Sequence, residues 1–174
     1  RATAEVVACA TLDIGLTQLV GEHAAFVNFP CSLLAEPLRF PMDPERIVIE
    51  VLEGAQPAAE LLQGLARLRE ARFRIALDDY DLRLHSHVLL DYADIIKVDI
   101  QQHTPEELEV CVAALRHRNL QLVAEKVETA DEFHRCTALG FDLFQGYFLQ
   151  RPELFATRRA PSSRLAALQM IIAR

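Results

Sequence analysis

Nearly every strand-like run in this chain ends on a residue that can hold a metal, move a proton or carry charge. In chain order these are Asn28, Glu50, Asp78 with Asp79, Lys97 with Asp99, Glu125 with Glu128, and Gln145. A single aspartate after a strand is ordinarily an N-cap or turn residue. A charged or amide group at successive strand ends is harder to explain in that way. Carboxylates gathered in a buried place repel one another and raise their own pKa values unless cations neutralise them. The oxygen donors Asn28, Glu50, Asp78, Asp79 and Glu125 suit hard divalent ions, Mg²⁺ or Mn²⁺. Two such ions about 3.5–4 Å apart can clamp a phosphodiester and acidify a bridging water. Adjacent aspartates such as Asp78 and Asp79 are a natural bridge between two ions. Lys97 would then orient the water or offset the charge that develops on the phosphorane. These residue types point to metal-assisted phosphodiester hydrolysis. Mg²⁺-dependent proton abstraction with Lys97 as the base draws on the same types, but it gives no role to the segments 124–129 and 145–152.

The elements that must position these groups are short. Strand-like runs occupy 25–29, 46–51, 73–77, 94–99, 120–125 and 141–146, several of them unbroken blocks of Val, Ile, Leu and Phe. Such blocks are expected of strands covered on both faces. Between them, 57–71, 105–118 and 130–140 carry apolar residues at helical spacing. Pro57 and Pro105 suit first helical positions, Thr104 suits an N-cap, and Gly140 suits a C-terminal stop. A further helix is expected over roughly 2–20, and another after Pro161. Alternating strands and helices predict a parallel sheet with right-handed crossovers. Parallel strands end on one side, so the polar groups should converge at one mouth, where a (β/α) barrel keeps its active site.

Bulk properties narrow the class. The 174 residues suffice for one domain, and 51% hydrophobic with 25% charged residues reads as globular. A formal charge of −7 disfavours a nucleic-acid polymer as partner. The apolar runs are too short for a membrane span. Cys9, Cys31, Cys111 and Cys136 form no CxxC pair, which fits reduced thiols in a cytoplasmic protein. The six histidines read as surface or satisfied residues, because hard cations prefer oxygen. Tyr147 can stack on a base or fill the core, and Arg151 can pair with a phosphate or cap the last barrel turn.

With these residues in view, the chain resembles the EAL domain family. VNF (27–29) resembles that family's VN-S strand, EVLE (50–53) its E-(I/L)-(T/L)-E, and DDY (78–80) its DDF. IKVD (96–99) resembles IKID, AEKVET (124–129) resembles AEGVET, and QGYFLQRP (145–152) resembles QGYxFxxP. Order and spacing agree over 25–152. The resemblance implies a TIM-type (β/α) barrel in a bacterial signalling protein, with cyclic di-GMP as ligand and hydrolysis to pGpG. Carried over by position, Asn28, Glu50 and Asp78 match ligands of a first metal, and Asp78 with Asp79 ligands of a second. Glu125 matches a second-metal ligand or general base, while Lys97 and Gln145 match residues that hold the catalytic water. Glu53 matches a glutamate anchoring the loop after the DDY motif, and Glu128 a supporting carboxylate. The segments DLFQGYFLQRPE, AEKVET and SSRLAALQMI look most like the subgroup in which an EAL-like domain precedes an HDOD domain. That makes an HDOD-type domain an expected fused or interacting partner, with a second copy of the chain as another.

Departures from the family pattern set further expectations. The signature glutamate, the arginine that follows it and the first two barrel strands are expected before residue 1. Residues 1–160 would then hold about six of eight strands, and 161–174 a C-terminal helix linking to a further domain. An incomplete barrel would leave the 25–29 and 141–146 runs as open edges. The loop DLRLHSH (81–87) has no glycine where the family is glycine-rich, and Lys126 stands where the family has glycine. These changes leave open a degenerate domain that binds the dinucleotide or a protein without turnover. The 174 residues alone are expected to hydrolyse slowly at best.

Overall fold

The computed structural model describes residues 20–34, 43–52, 58–81, 87–149 and 172–173. Six strands follow in chain order: β1 (Ala25–Asn28), β2 (Ile47–Leu52), β3 (Arg74–Asp78), β4 (Ile95–Asp99), β5 (Gln121–Glu125) and β6 (Leu143–Phe144). Each lies parallel to and beside the next, which is the half-barrel expected. The helices between them are α1 (Cys31–Leu34), α2 (Ala59–Glu70), α3 (His87–Leu90), α4 (Pro105–Arg116) and α5 (Ala130–Leu139). A 3₁₀ turn at Ile100–Gln102 leaves β4. No helix among the described residues is long and apolar enough to cross a membrane.

Local chemistry sets the helix ends. Thr104 caps α4 in a reciprocal box with Glu107, and Pro105 opens the helix. Thr129 and Glu132 repeat the box on α5, which stops at Gly140 with φ 103°. The strands alternate in the usual way. One face, with Ile49, Leu77, Val98 and Leu122, packs under the helices against Leu65, Leu108, Leu115 and Phe133. The other face carries a separate apolar layer of Phe26, Val48, Ala76, Ile95, Val123 and Leu143.

Two aspartates lock the strand starts. Asp94, just before β4, accepts the Ile75 N–H through Oδ2 at 2.9 Å. Asp142, just before β6, accepts the Leu122 N–H in the same way at 2.9 Å. Each carboxylate continues the ladder where the neighbouring strand has not yet begun, so the backbone donor is satisfied.

β6 is shorter than the 141–146 run, and its free side takes up a seventh strand. Ile172 and Ala173 (β7) pair antiparallel with Phe144 and Leu143. The sequence reading had these two residues at the end of a helix. The pairing gives backbone partners to groups that would otherwise stand unpaired along that side of β6. Residues 150–171, and with them the rest of that expected helix, lie outside the described residues, as does the 2–20 helix except Val20.

Candidate active site

The inner face of the sheet is built in layers. Two residues further along the chain from each member of the apolar layer lie Asn28, Glu50, Asp78, Lys97, Glu125 and Gln145. A period of two keeps them on the same face, one step nearer the C-terminal ends. The apolar layer is thus the floor of the site, and the polar layer is its working surface. The pairing ladder fixes neighbours: Asn28 is in register with Glu50, and Lys97 with Val123. Backbone bonds continue the ladder past the site, from Phe29 N to Glu50 O at 2.9 Å, Tyr80 N to Lys97 O at 2.9 Å and Gln145 N to Ala124 O at 2.8 Å.

Lys97 is the hub. Its side chain is fully buried, and Nζ lies 2.5 Å from Asp78 Oδ1, 2.6 Å from Glu50 Oε1 and 2.8 Å from Glu125 Oε1. Nζ donates to Asp78 Oδ1. The Glu50 contact is ionic without hydrogen-bond angles. Glu50, Asp78 and Glu125 are themselves buried. Three carboxylates thus face one ammonium, and the site is short of positive charge.

The protonation tendencies follow from that imbalance. Burial pushes Glu50 above the usual carboxylate range despite Lys97. Burial likewise carries Glu125 up to about 7, against the pull of the Lys97 ammonium. Burial alone would lower the Lys97 pKa, but Glu50, Glu125 and Asp78 together hold it above its ordinary value, so it stays charged.

The remaining site residues differ in setting. Asn28 and Asp79 are exposed at the mouth, and Asp79 has a left-handed backbone at φ 51°. Gln145 is half-buried just beyond β6. Glu128 is exposed. Tyr147 and Phe148 are both exposed, and Phe148 stacks obliquely 5.8 Å from Phe133. Glu53 and Arg151 lie outside the described residues, as do 82–86 of the altered loop. Gly146 seats Gln145, because a Cβ there would stand 2.1 Å from the Val127 carbonyl oxygen.

A second charged pair borders the first. Asp99 is buried at the end of β4 and accepts from Gln101 N at 3.0 Å, Gln102 Nε2 at 2.9 Å and the Lys126 ammonium. Burial would raise Asp99, yet these donors, led by Lys126, hold it below the usual carboxylate range. Lys126 has φ 56°, a conformation glycine adopts freely and a lysine at a cost of about 1 kcal/mol. The replacement of glycine was visible in the sequence, but the partner of the new ammonium was not.

The residues can be tested for a divalent ion. The oxygen-only donors and the surplus of buried negative charge fit a hard cation. Among the described residues no three carboxylate, histidine or thiol groups surround a single cation position, because Glu50, Asp78 and Glu125 close on Lys97 instead. The fit to a hard cation rests on the donor chemistry and not on this geometry.

Comparisons with known proteins bear on this arrangement. The EAL domain family model matches residues 12–152. Cyclic di-GMP phosphodiesterase CdgJ of Vibrio cholerae is 32% identical over 175 residues, covering 98% of this chain and 40% of that protein. The PaMucR phosphodiesterase structure, a c-di-GMP complex, superposes with a TM-score of 0.68 at 26% identity, over 84% of this chain and 68% of that chain. The Klebsiella pneumoniae BlrP1 manganese/cy-diGMP complex at pH 9.0 superposes with a TM-score of 0.69 at 25% identity, over 83% of this chain and 43% of that chain. The chain spans no more than about two fifths of the length of the curated relatives it matches.

Proposed function

The chain belongs to the EAL domain family, and from that premise we propose that its strand-end cluster hydrolyses cyclic di-GMP to linear pGpG. The observation that carries this reading is the fully buried Lys97 ammonium, held at 2.5–2.8 Å by three buried carboxylates. Asn28, Glu50, Asp78 and Asp79 are the residues that would hold Mg²⁺ or Mn²⁺. A bound divalent ion supplies Lewis-acid polarisation of the phosphodiester and makes water more acidic. The likeness to a manganese/cy-diGMP complex supports that choice of ion and ligand.

The chain's own groups then divide the work. Lys97 is fixed and charged, and it orients a water or a phosphoryl oxygen as negative charge develops. Glu125, raised by burial to about 7, accepts a proton near neutral pH. Gln145 lies in the same inward layer and orients the water. Tyr147 offers an exposed ring at the mouth for base stacking, and Arg151 a cation for a phosphate. Glu53 and Glu128 are supporting carboxylates. The resemblance of 124–129 and of the C-terminal tail to EAL–HDOD proteins supports an HDOD-type domain as partner, in a cytoplasmic protein. Pairing with a second copy of the chain is part of the same proposal.

The test is hydrolysis by the full-length protein with Mn²⁺ or Mg²⁺, followed by chromatography of the nucleotides. The expected result is pGpG, with Lys97→Gln and Glu125→Gln each lowering kcat by roughly a hundredfold or more. Binding of the dinucleotide with no product from the unmodified protein would refute turnover and favour a receptor, the reading suggested by the altered 81–87 loop.

A further inference from the structure

We infer that Asp99 and Lys126 form a clamp that positions Glu125 against Lys97 and Gln145 beside them. This inference rests on the phosphodiesterase reading of the site. Lys126 immediately follows Glu125 and begins the turn from β5 into α5. Asp99 lies in register with Glu125 on the adjacent strand β4. The Lys126 ammonium therefore ties the turn after one strand to the end of the other, one step beyond the Lys97–Glu125 pair at 2.8 Å.

Further bonds fasten the same turn. Gln101 Nε2 donates to Lys126 O at 3.2 Å and to Glu132 Oε1 at 2.9 Å. Glu132 Oε2 accepts Glu128 N at 2.8 Å and Thr129 N at 3.0 Å. On the other side Val127 N donates to Gln145 O at 3.0 Å, and Phe148 N to Val127 O at 3.1 Å. The turn thus meets the β4 end through Asp99 and Gln101, and the segment after β6 through Val127. It carries Glu125 at its start and braces Gln145.

The clamp accounts for a lysine at a left-handed position. Glycine would adopt φ 56° without strain but would give the turn no anchor. Lysine accepts the strain and gains a charge-assisted bond to a buried carboxylate, among the strongest hydrogen bonds available. Asp99 in turn needs the bond, since a buried carboxylate deprived of its cation is poorly compensated. Lys126 acts through Glu125 and is a positioning residue.

The experiment uses the full-length protein and the variants Lys126→Gly, Lys126→Arg and Asp99→Asn. Two readouts are compared. The first is kcat and KM for cyclic di-GMP with Mn²⁺. The second is amide hydrogen exchange of residues 127–129 in metal-free, ligand-free protein. Lys126→Gly removes strain and anchor together, so it should fold. It should lower kcat about tenfold, with KM changed less than about twofold. The same variant should speed exchange in the turn about tenfold. Lys126→Arg should restore both, and Asp99→Asn should reproduce the loss. Unchanged kcat and exchange in Lys126→Gly would overturn the clamp. A raised KM with unchanged kcat would also overturn it, since that marks a direct ligand contact. If the unmodified protein makes no pGpG, the phosphodiesterase reading fails by itself. Exchange then decides the clamp, with faster exchange in Lys126→Gly supporting it and unchanged exchange refuting it.

Discussion

Replacing Lys97 by methionine tests the electrostatic account of the site directly. Methionine keeps much of the side-chain bulk and removes the charge. In the folded protein Glu50, Asp78 and Glu125 would lose the ammonium that all three contact. Removing one partner from a buried ion pair typically costs about 3–5 kcal/mol. For a chain of this size each kcal/mol moves the melting midpoint by about 2–4 °C, so a fall of about 10 °C is expected. The loss should depend on pH with a definite sign. Glu50 and Glu125 already sit above their ordinary values through burial, and without Lys97 they rise further. A carboxyl raised on folding gives stability that is complete below its unfolded pKa and is lost as pH rises through its folded pKa. The variant should therefore be nearly as stable as the parent at about pH 5 and much weaker at about pH 8. Thermal melts in a chelator at both pH values provide the assay. Adding Glu125→Gln to the variant should recover part of the loss, since it removes one of the charges left unpaired. A loss below about 1 kcal/mol at the higher pH, or the same loss at both, would refute the reasoning.

Two further outcomes follow from the same geometry. The unmodified protein in chelator should lose stability as pH rises from 4.5 towards 7, because Glu125 rises from 4.5 to about 7 on folding. That shift is worth on the order of 3 kcal/mol; Lys97 remains charged across the window, and denaturant midpoints on either side measure the change. Gly146→Ala should destabilise by about 1–3 kcal/mol, since the new Cβ would meet the Val127 backbone at 2.1 Å; an unchanged denaturant midpoint would contradict the close approach.

Strand order and the convergence of polar groups were legible because both rest on short-range signals. Blocks of β-branched residues mark buried parallel strands, and Thr104, Pro105 and Gly140 mark helix ends. The four-residue helices α1 and α3 were not legible, because a single turn offers no window for helical periodicity. The strand expected over 141–146 reduces to Leu143–Phe144, since Gly146 turns the chain where Gln145 has just entered the site. The sequence offered Tyr147 as core or stacking residue without deciding between them, and its exposure rejects core. The aim of Lys126 depended on its neighbour Asp99, which lies 27 positions away and is joined to it only through β-pairing.

The two layers on the inner face explain why this site belongs to strands and not to loops. Six apolar side chains form the floor beneath carboxylates that are themselves buried. Fewer waters mean a lower effective dielectric, so Lys97 and its partners interact more strongly than they would on a surface. The same burial makes the surplus negative charge costly, and that cost is what a hard divalent ion would relieve. Both effects require each strand to present its polar residue two positions beyond its apolar one, on the same face. A slip of one residue in β4 would turn Lys97 toward the helices and bring Ile96 or Val98 to the site. The backbone ladder that makes the sheet therefore also holds the charge arrangement.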